Sequence, residues 1–307
     1  MKKVILDIDT GIDDALALLL AFKSGELDIL GITTVSGNVS LDQATLNTKK
    51  VLTLLGLDNK VQIFKGADRP LLRQPVYEHE VHGNDGLGGA LKDMQVSMPE
   101  DDGAVDFIIE QAEKHKGELT LIPTAPLTNI ALAIRKKPEI TKWIKEMVIM
   151  GGSVKSLGNI TPLAEFNSYV DPEAAKIVFY SGIPITLVGL DVTTKALLTD
   201  EHVAQLEGSD VGNFVKDSTA HYINDFYKKN GIKACALHDP LAVGVTLDKS
   251  LVKTEKFFVD VETKSELCDG QTVCDFHNKL GKEPNIDVCL EVDHEKFIRM
   301  FIDYLKR

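Results

Sequence analysis

Basic charge is in short supply in this 307-residue chain: 34 Lys and Arg stand against 46 Asp and Glu, for a formal net charge of −12. Nucleic acids and anionic membranes are held through a basic surface, so neither is expected as the main partner. A neutral small molecule fits this balance better. Cysteine is scarce as well. Cys235, Cys268, Cys274 and Cys289 form no CxxC pair and have no histidine at zinc-finger spacing, which argues against a disulfide framework or a structural zinc and for reduced thiols in a cytoplasm. With only 11 prolines, 44% apolar and 26% charged residues, the composition is that of an ordinary packed protein. No stretch reaches the roughly 18 apolar residues of a membrane span. The apolar run after Lys2 and Lys3 stops at Asp7, too early for an export signal, so a cytoplasmic protein is expected.

Neither a repeat nor a low-complexity linker breaks the chain, and a single domain over 1–307 is expected. Short β-branched runs alternate with longer segments of helical period, the pattern of a parallel sheet covered by helices. The fold class is therefore α/β: a mostly parallel, helix-flanked central sheet of Rossmann-like kind, with the site at the C-terminal ends of its strands. Strands are predicted at Lys3 to Leu6, Asp28 to Val35, Val61 to Phe64, Leu119 to Ile122, Met147 to Ile149 and Ile185 to Val188. Asp13 to Ser24 reads as a helix, and Ser40 with Gln43 as a capping box opening the next. From about residue 190 to Val245 the pattern is mostly helical. Short strands follow near Phe257 to Val261 and Ile286 to Val292, with a closing helix from Glu295 to Tyr304. Asp7, Asp9, Asn38, Thr124 and Asp191 all fall at or just past a predicted strand end, where open parallel sheets bind ligands.

Asp7, Asp9, Asp13 and Asp14 crowd into eight residues with no Lys or Arg among them. Helix-dipole stabilisation of about 0.3 to 1 kcal/mol per carboxylate is smaller than the repulsion among several such anions in a cleft. A bound cation relieves that conflict, and an all-oxygen donor set without Cys or His selects Ca²⁺ or Mg²⁺ over zinc, Ca²⁺ if the cage is mainly protein oxygens. Solvated carboxylates and a helix cap are the plainer alternative. A second enzyme class competes here, because Asp7, Asp9 and Thr10 after a strand look like the nucleophile motif of haloacid-dehalogenase-type phosphatases, with Asp7 attacking. Asp191 and Lys195 lie downstream as that family would need, but the continuation through Gly11, Asp13 and Asp14 is foreign to it.

The run Asp7-Ile8-Asp9-Thr10-Gly11-Ile12-Asp13-Asp14-Ala15 resembles the N-terminal signature of the inosine-uridine nucleoside hydrolases, and five more segments match in order: Thr33 to Asn38, His82 to Gly88, Thr124 to Asn129, Met150-Gly151-Gly152 continuing to Glu165-Phe166-Asn167, and His238-Asp239-Pro240. Two departures are Thr10, where many members have proline, and Ala125, where many have glycine. The resemblance implies Ca²⁺ held by Asp9, Asp14, Asp239 and the main-chain carbonyl of Thr124. It also implies sugar hydrogen bonds from Asp13, Asn38, Asn159, Glu165 and Asn167, and deprotonation by Asp9 of a metal-bound water that attacks the anomeric carbon. The implied activity is hydrolysis of ribonucleosides to ribose and free base, in nucleoside catabolism or salvage, by a homo-oligomer (dimer or tetramer). A non-catalytic nucleoside-binding protein of the same fold is the remaining alternative.

Cleaving a ribosyl C–N bond passes through an oxocarbenium-like state, so the site must stabilise a positive sugar, supply water and protonate the leaving base. His82 and His238 are the candidate proton donors, since imidazole titrates near neutrality. Glu165 and Asn167 lie in a weakly patterned loop from Gly151 to Val170, where binding groups are often found. Tyr222 and Phe226, one helical turn apart with Tyr227 beside them, are equally readable as a lid over the base or as core packing.

Overall fold

Val4, Ile5 and Leu6 are buried on both faces of the first strand, as parallel sheets covered on both sides require. The computed structural model describes residues 1–58, 60–98 and 102–307, without the side chains of residues 225–230. In chain order its strands are β1 (Lys2–Ile8), β2 (Leu27–Thr34), β3 (Ile63–Lys65), β4 (Leu119–Pro123), β5 (Glu146–Met150), β6 (Ile185–Val188), β7 (Leu197–Thr199), β8 (Ala234–Ala236), β9 (Val252–Phe257), β10 (Val259–Val261), β11 (Thr272–Cys274) and β12 (Ile286–Val292). Eight of them make one sheet in the order β3-β2-β1-β4-β5-β6-β12-β9. All its pairings are parallel except β12 with the edge strand β9. This is the mostly parallel, helix-flanked α/β sheet that the sequence pattern predicts.

The order reverses at β1, with β2 on one side and β4 on the other, so the loops after β1, β2 and β4 open onto a shared crevice. The helix Ile12–Ser24 leaves that crevice and is apolar almost all round, buried from Ile12 through Ala21. It packs against the helices His238–Leu247 and His294–Leu305. A helix apolar on every side belongs inside a protein, and burying its first turn carries Asp13 and Asp14 in with it.

Three local expectations change. The stretch read as mostly helical before Val245 also holds β7 and β8, an antiparallel pair too short to show a period. The segment from Gly151 to Val170 is not loop throughout, because Phe166–Val170 is a helix whose N-cap is Glu165. At Ser40 only half of the capping box forms: Ser40 accepts the Gln43 N–H, but the Gln43 amide donates to Asn47 instead. All four cysteines are free thiols. Among the described residues no helix is long and apolar enough to cross a membrane.

Candidate active site

Four short segments from different parts of the chain meet at the crevice. The turn after β1 brings Asp9, Asp13 and Asp14, the turn after β2 brings Asn38, and the end of β4 brings Thr124. Asp239 comes from the first turn of the helix that follows β8. Asp9 accepts the Asn38 backbone N–H at Oδ2 (2.6 Å) and the Asn38 side-chain amide at Oδ1 (3.2 Å). A Cβ on Gly37 would sit 1.9 Å from Asp9 Oδ2, so this approach needs glycine there. Asp14 accepts from the Gly11 N–H and the Asn38 amide at Oδ2, and from the Thr124 hydroxyl at Oδ1 (2.8 Å). The Thr124 carbonyl accepts from Asn167 Nδ2 (2.9 Å). At the two family departures, Thr10 pairs its hydroxyl with Thr48 while its carbonyl accepts from Asn47, and Ala125 is buried beside Thr124.

Asp9, Asp13, Asp14 and Asp239 are all buried, and among the described residues no Lys or Arg ion-pairs with any of them. One oxygen each from Asp13, Asp14 and Asp239 lies within 4.8 Å of the others. Two anions at 4.8 Å repel by roughly 3 kcal/mol at an effective dielectric near 20, which outweighs what a helix dipole returns. Burial pushes all four carboxyls up, and repulsion from neighbouring carboxylates adds to it at Asp9, Asp14 and Asp239; Asp14 rises to about 6 and Asp9 and Asp239 well above the usual carboxylate range. Asp13 Oδ1 and Asp239 Oδ2 are buried without a hydrogen-bond partner. Buried, repelling, unsatisfied oxygens are what a divalent cation would resolve, so this donor set fits one, and its all-oxygen character suits a hard ion.

The same crowding sets a stability trend. A carboxyl raised from 3.8 to about 6, as at Asp14, keeps its proton in the folded state over a window where the unfolded chain has lost it. Stability therefore falls as pH rises through that window, by roughly 3 kcal/mol for a two-unit shift at one site. The EDTA-treated protein should accordingly melt higher near pH 5 than near pH 7 when each is measured against the Ca²⁺-loaded protein at the same pH. A chelated protein whose melting temperature, so referenced, climbs from pH 5 to 7 would contradict this picture.

Above the carboxylates lies a cavity of about 750 Å³, lined among others by Asp13, Asn38, His82, Asn159, Glu165, Asn167, Tyr222, His238 and Asp239. The structure thus gathers the residues singled out in the sequence around one space, although Asp9 and Asp14 lie beneath it rather than on its wall. Glu165 caps its helix by accepting the Asn167 and Ser168 N–H groups, and also accepts the Gly152 N–H. Asn159 accepts the Phe166 N–H at Oδ1, and its Nδ2 makes no hydrogen bond with the described residues. His82 accepts the Ile12 N–H at Nδ1 (3.0 Å), which leaves the proton of the neutral ring on Nε2, and burial pulls its pKa down to about 4. Gly11 makes room for this ring, since a Cβ there would sit 2.7 Å from His82 Nδ1. His238 is held from both sides, by Thr193 Oγ1 at Nδ1 (2.8 Å) and the Tyr222 hydroxyl at Nε2 (3.1 Å), and burial lowers its pKa too. Tyr222 therefore faces the cavity rather than the core alone; the side chains of Phe226 and Tyr227 lie outside the described residues.

Two strand-end aspartates do other work. Asp7 is fully buried, accepts at Oδ1 from the Thr33 hydroxyl (2.6 Å) and Asn129 Nδ2 (2.8 Å), and is not on the cavity wall. Asp191 accepts three backbone N–H groups of the loop after β5 and is not on the cavity wall. Thr193, which orients His238, carries no signal in the sequence, because its partner lies 45 residues away.

A family model described as inosine-uridine preferring nucleoside hydrolase matches residues 4–299. The pyrimidine-specific ribonucleoside hydrolase RihB of Escherichia coli O157:H7 (strain EC4115 / EHEC) is 37% identical over 298 residues, covering 96% of this chain and 94% of that protein. The solved structure of a purine-preferring ribonucleoside hydrolase from Gardnerella vaginalis aligns with a TM-score of 0.92 at 35% identity, over 99% of this chain and 98% of that one. A plant nucleoside hydrolase, PpNRh1, aligns with a TM-score of 0.94 at 32% identity over 99% of both chains.

Proposed function

The chain belongs to the inosine-uridine preferring nucleoside hydrolase family and is a hydrolase of ribonucleoside N-glycosidic bonds, and from that premise we propose that it works with Ca²⁺ and uses water as the nucleophile. The observation that carries this reading is the buried group of Asp13, Asp14 and Asp239, with unsatisfied oxygens on Asp13 and Asp239, at the base of a cavity that also presents two histidines. Asp9, Asp14, Asp239 and the Thr124 carbonyl would hold the ion, with Asp13 beside them facing the sugar. A bound Ca²⁺ would supply Lewis acidity that makes a neighbouring water easier to deprotonate.

The chain's own residues divide the remaining tasks. Asp9 takes the proton of the attacking water on its carboxylate; burial and the Asp14 charge raise its proton affinity, while Asn38 fixes its orientation from two directions. Asp13 and Glu165, with the amides of Asn38, Asn159 and Asn167, surround the sugar as it becomes positive, where fixed anions and dipoles in a dry site count most. His238, oriented by Thr193 and in contact with the Tyr222 hydroxyl, protonates the departing base. His82, with its ring centroid 6.4 Å from that of Tyr222, lines the same cavity and keeps its proton on Nε2.

Because Asp13 keeps an unpartnered oxygen at the cavity, ribosides should be strongly preferred over 2′-deoxyribosides: a site built around a hydroxyl rejects the analogue lacking it by as much as 10⁴-fold, on the order of other such sites. Reducing-sugar release from uridine, inosine and their 2′-deoxy analogues, run beside phosphate release from the matching nucleotides, tests the assignment. Comparable rates on uridine and deoxyuridine would remove Asp13 from the 2′-hydroxyl. Tight nucleoside binding without sugar release would identify a binding protein instead.

A further inference from the structure

One wall of the cavity is the loop after β5, which contributes Lys155, Leu157 and Asn159. Leu157 is 76% exposed, so its apolar side chain gains nothing from the folded core and does not itself hold the loop in place. The anchors come from elsewhere. Asp191, 5% exposed and three residues past the end of β6 by way of Gly189 and Leu190, accepts the Lys155 and Ser156 N–H groups at Oδ1 (2.7 and 2.8 Å) and the Val154 N–H at Oδ2 (2.9 Å). On the other side, Thr272 of β11 accepts the Ser153 N–H (2.8 Å) and donates its hydroxyl to the Ser153 carbonyl (2.6 Å). Among the described residues no Lys or Arg pairs with Asp191, so backbone N–H groups alone answer its charge.

Three successive N–H groups converging on one point repel each other unless an anion sits there, and without it the loop is free to take other conformations. On the nucleoside-hydrolase reading above, we propose that Asp191 is a positioning residue for substrate binding, which holds the 153–159 wall in its binding-competent form before the nucleoside arrives. Its contribution falls on binding and not on the chemical step. If the competent form is only a fraction of the population, apparent affinity drops by that fraction, while the bound complex, whose loop is ordered, reacts as before.

The test compares the wild-type Ca²⁺-loaded enzyme with Asp191→Asn and Thr272→Val. Asparagine replaces one acceptor by an amide donor, so in either flip state a donor faces a donor. Thr272→Val removes the opposite anchor and leaves the carboxylate intact. Each variant should raise KM for uridine and inosine by about tenfold or more with kcat unchanged, leave the Ca²⁺ dissociation constant in calorimetry unchanged, and speed hydrogen exchange at the amides of 153–156. Loss of kcat at constant KM, or wild-type exchange at those amides, overturns the assignment. Should Asp191→Asn not fold, Thr272→Val decides alone, and an unchanged KM with unchanged exchange rejects the proposal. A wild-type enzyme that releases no sugar at all defeats the functional reading, whereas exchange and calorimetric nucleoside binding still decide whether Asp191 holds the wall.

Discussion

Chelation with EDTA and the substitution Asp239→Asn are each expected to lower nucleoside turnover by about 10³-fold or more, since Lewis-acid assistance is worth several kcal/mol. The same substitution should raise the melting temperature of the metal-free protein. The two effects share one cause: Asp239 is buried against Asp13 and Asp14, and its Oδ2 has no hydrogen-bond partner. Without an ion its ionised form only repels its neighbours, and at a pH above its raised pKa an uncharged isostere removes roughly 3 kcal/mol of that repulsion. With an ion it would be a ligand, and Ca²⁺ should then stabilise the wild type by about 2.7 kcal/mol when present at 100 times its dissociation constant. Differential scanning calorimetry with and without Ca²⁺, beside a reducing-sugar assay, measures both. A Ca²⁺-induced rise in melting temperature as large in Asp239→Asn as in the wild type would remove Asp239 from the ion. Recovery of the chelated enzyme by Zn²⁺ in preference to Ca²⁺ would contradict the all-oxygen donor set.

His238→Ala should slow cleavage of natural nucleosides by about 10² to 10⁴-fold, the usual worth of a positioned acid, while p-nitrophenyl riboside is cleaved at nearly the wild-type rate. The natural bases leave poorly without a proton, whereas p-nitrophenolate leaves as an anion, so the ratio between substrates isolates proton donation from binding. The structure supplies the positioning: Thr193 fixes one ring nitrogen of His238 and the Tyr222 hydroxyl meets the other. Burial lowers the ring's pKa, which makes the imidazolium, favoured by the Asp13 charge, a stronger acid toward the departing base, and the Tyr222 hydroxyl on Nε2 steadies the ring, so Tyr222→Phe should show the same contrast in weaker form. Equal slowing of both substrates by His238→Ala would mean that the ring holds Asp239 or the sugar in place, and the acid would then be sought at His82.

What could be read without coordinates is what depends on neighbours in the chain. The alternation of apolar runs with helical periods fixes a parallel, helix-flanked sheet, because side-chain period and burial on both faces are local properties. Asp9, Asp13 and Asp14 are legible as a cluster for the same reason: eight residues across a strand end and a helix start cannot move them far apart. The separate two-stranded pair β7 and β8 is not legible, since three residues carry no period. Nor could the sequence say which strand-end aspartates are chemical. Asp7, Asp9 and Asp191 occupy equivalent positions by pattern, yet Asp7 is sealed between Thr33 and Asn129 and Asp191 faces the backbone of the β5 loop. Only Asp9 lies within the charge field of Asp13 and Asp14 with Asn38 orienting it. Asp239 shows the difference most plainly, because a family motif can name it but only the packing of the helix His238–Leu247 against the helix Ile12–Ser24 delivers its carboxylate to Asp13 and Asp14. The residue types and the local crowding of charge follow from the sequence. Whether a buried carboxylate meets donors, other anions or open space is decided by long-range packing, and that choice makes one aspartate a strut and leaves another crowded against anions in a donor set that fits a cation.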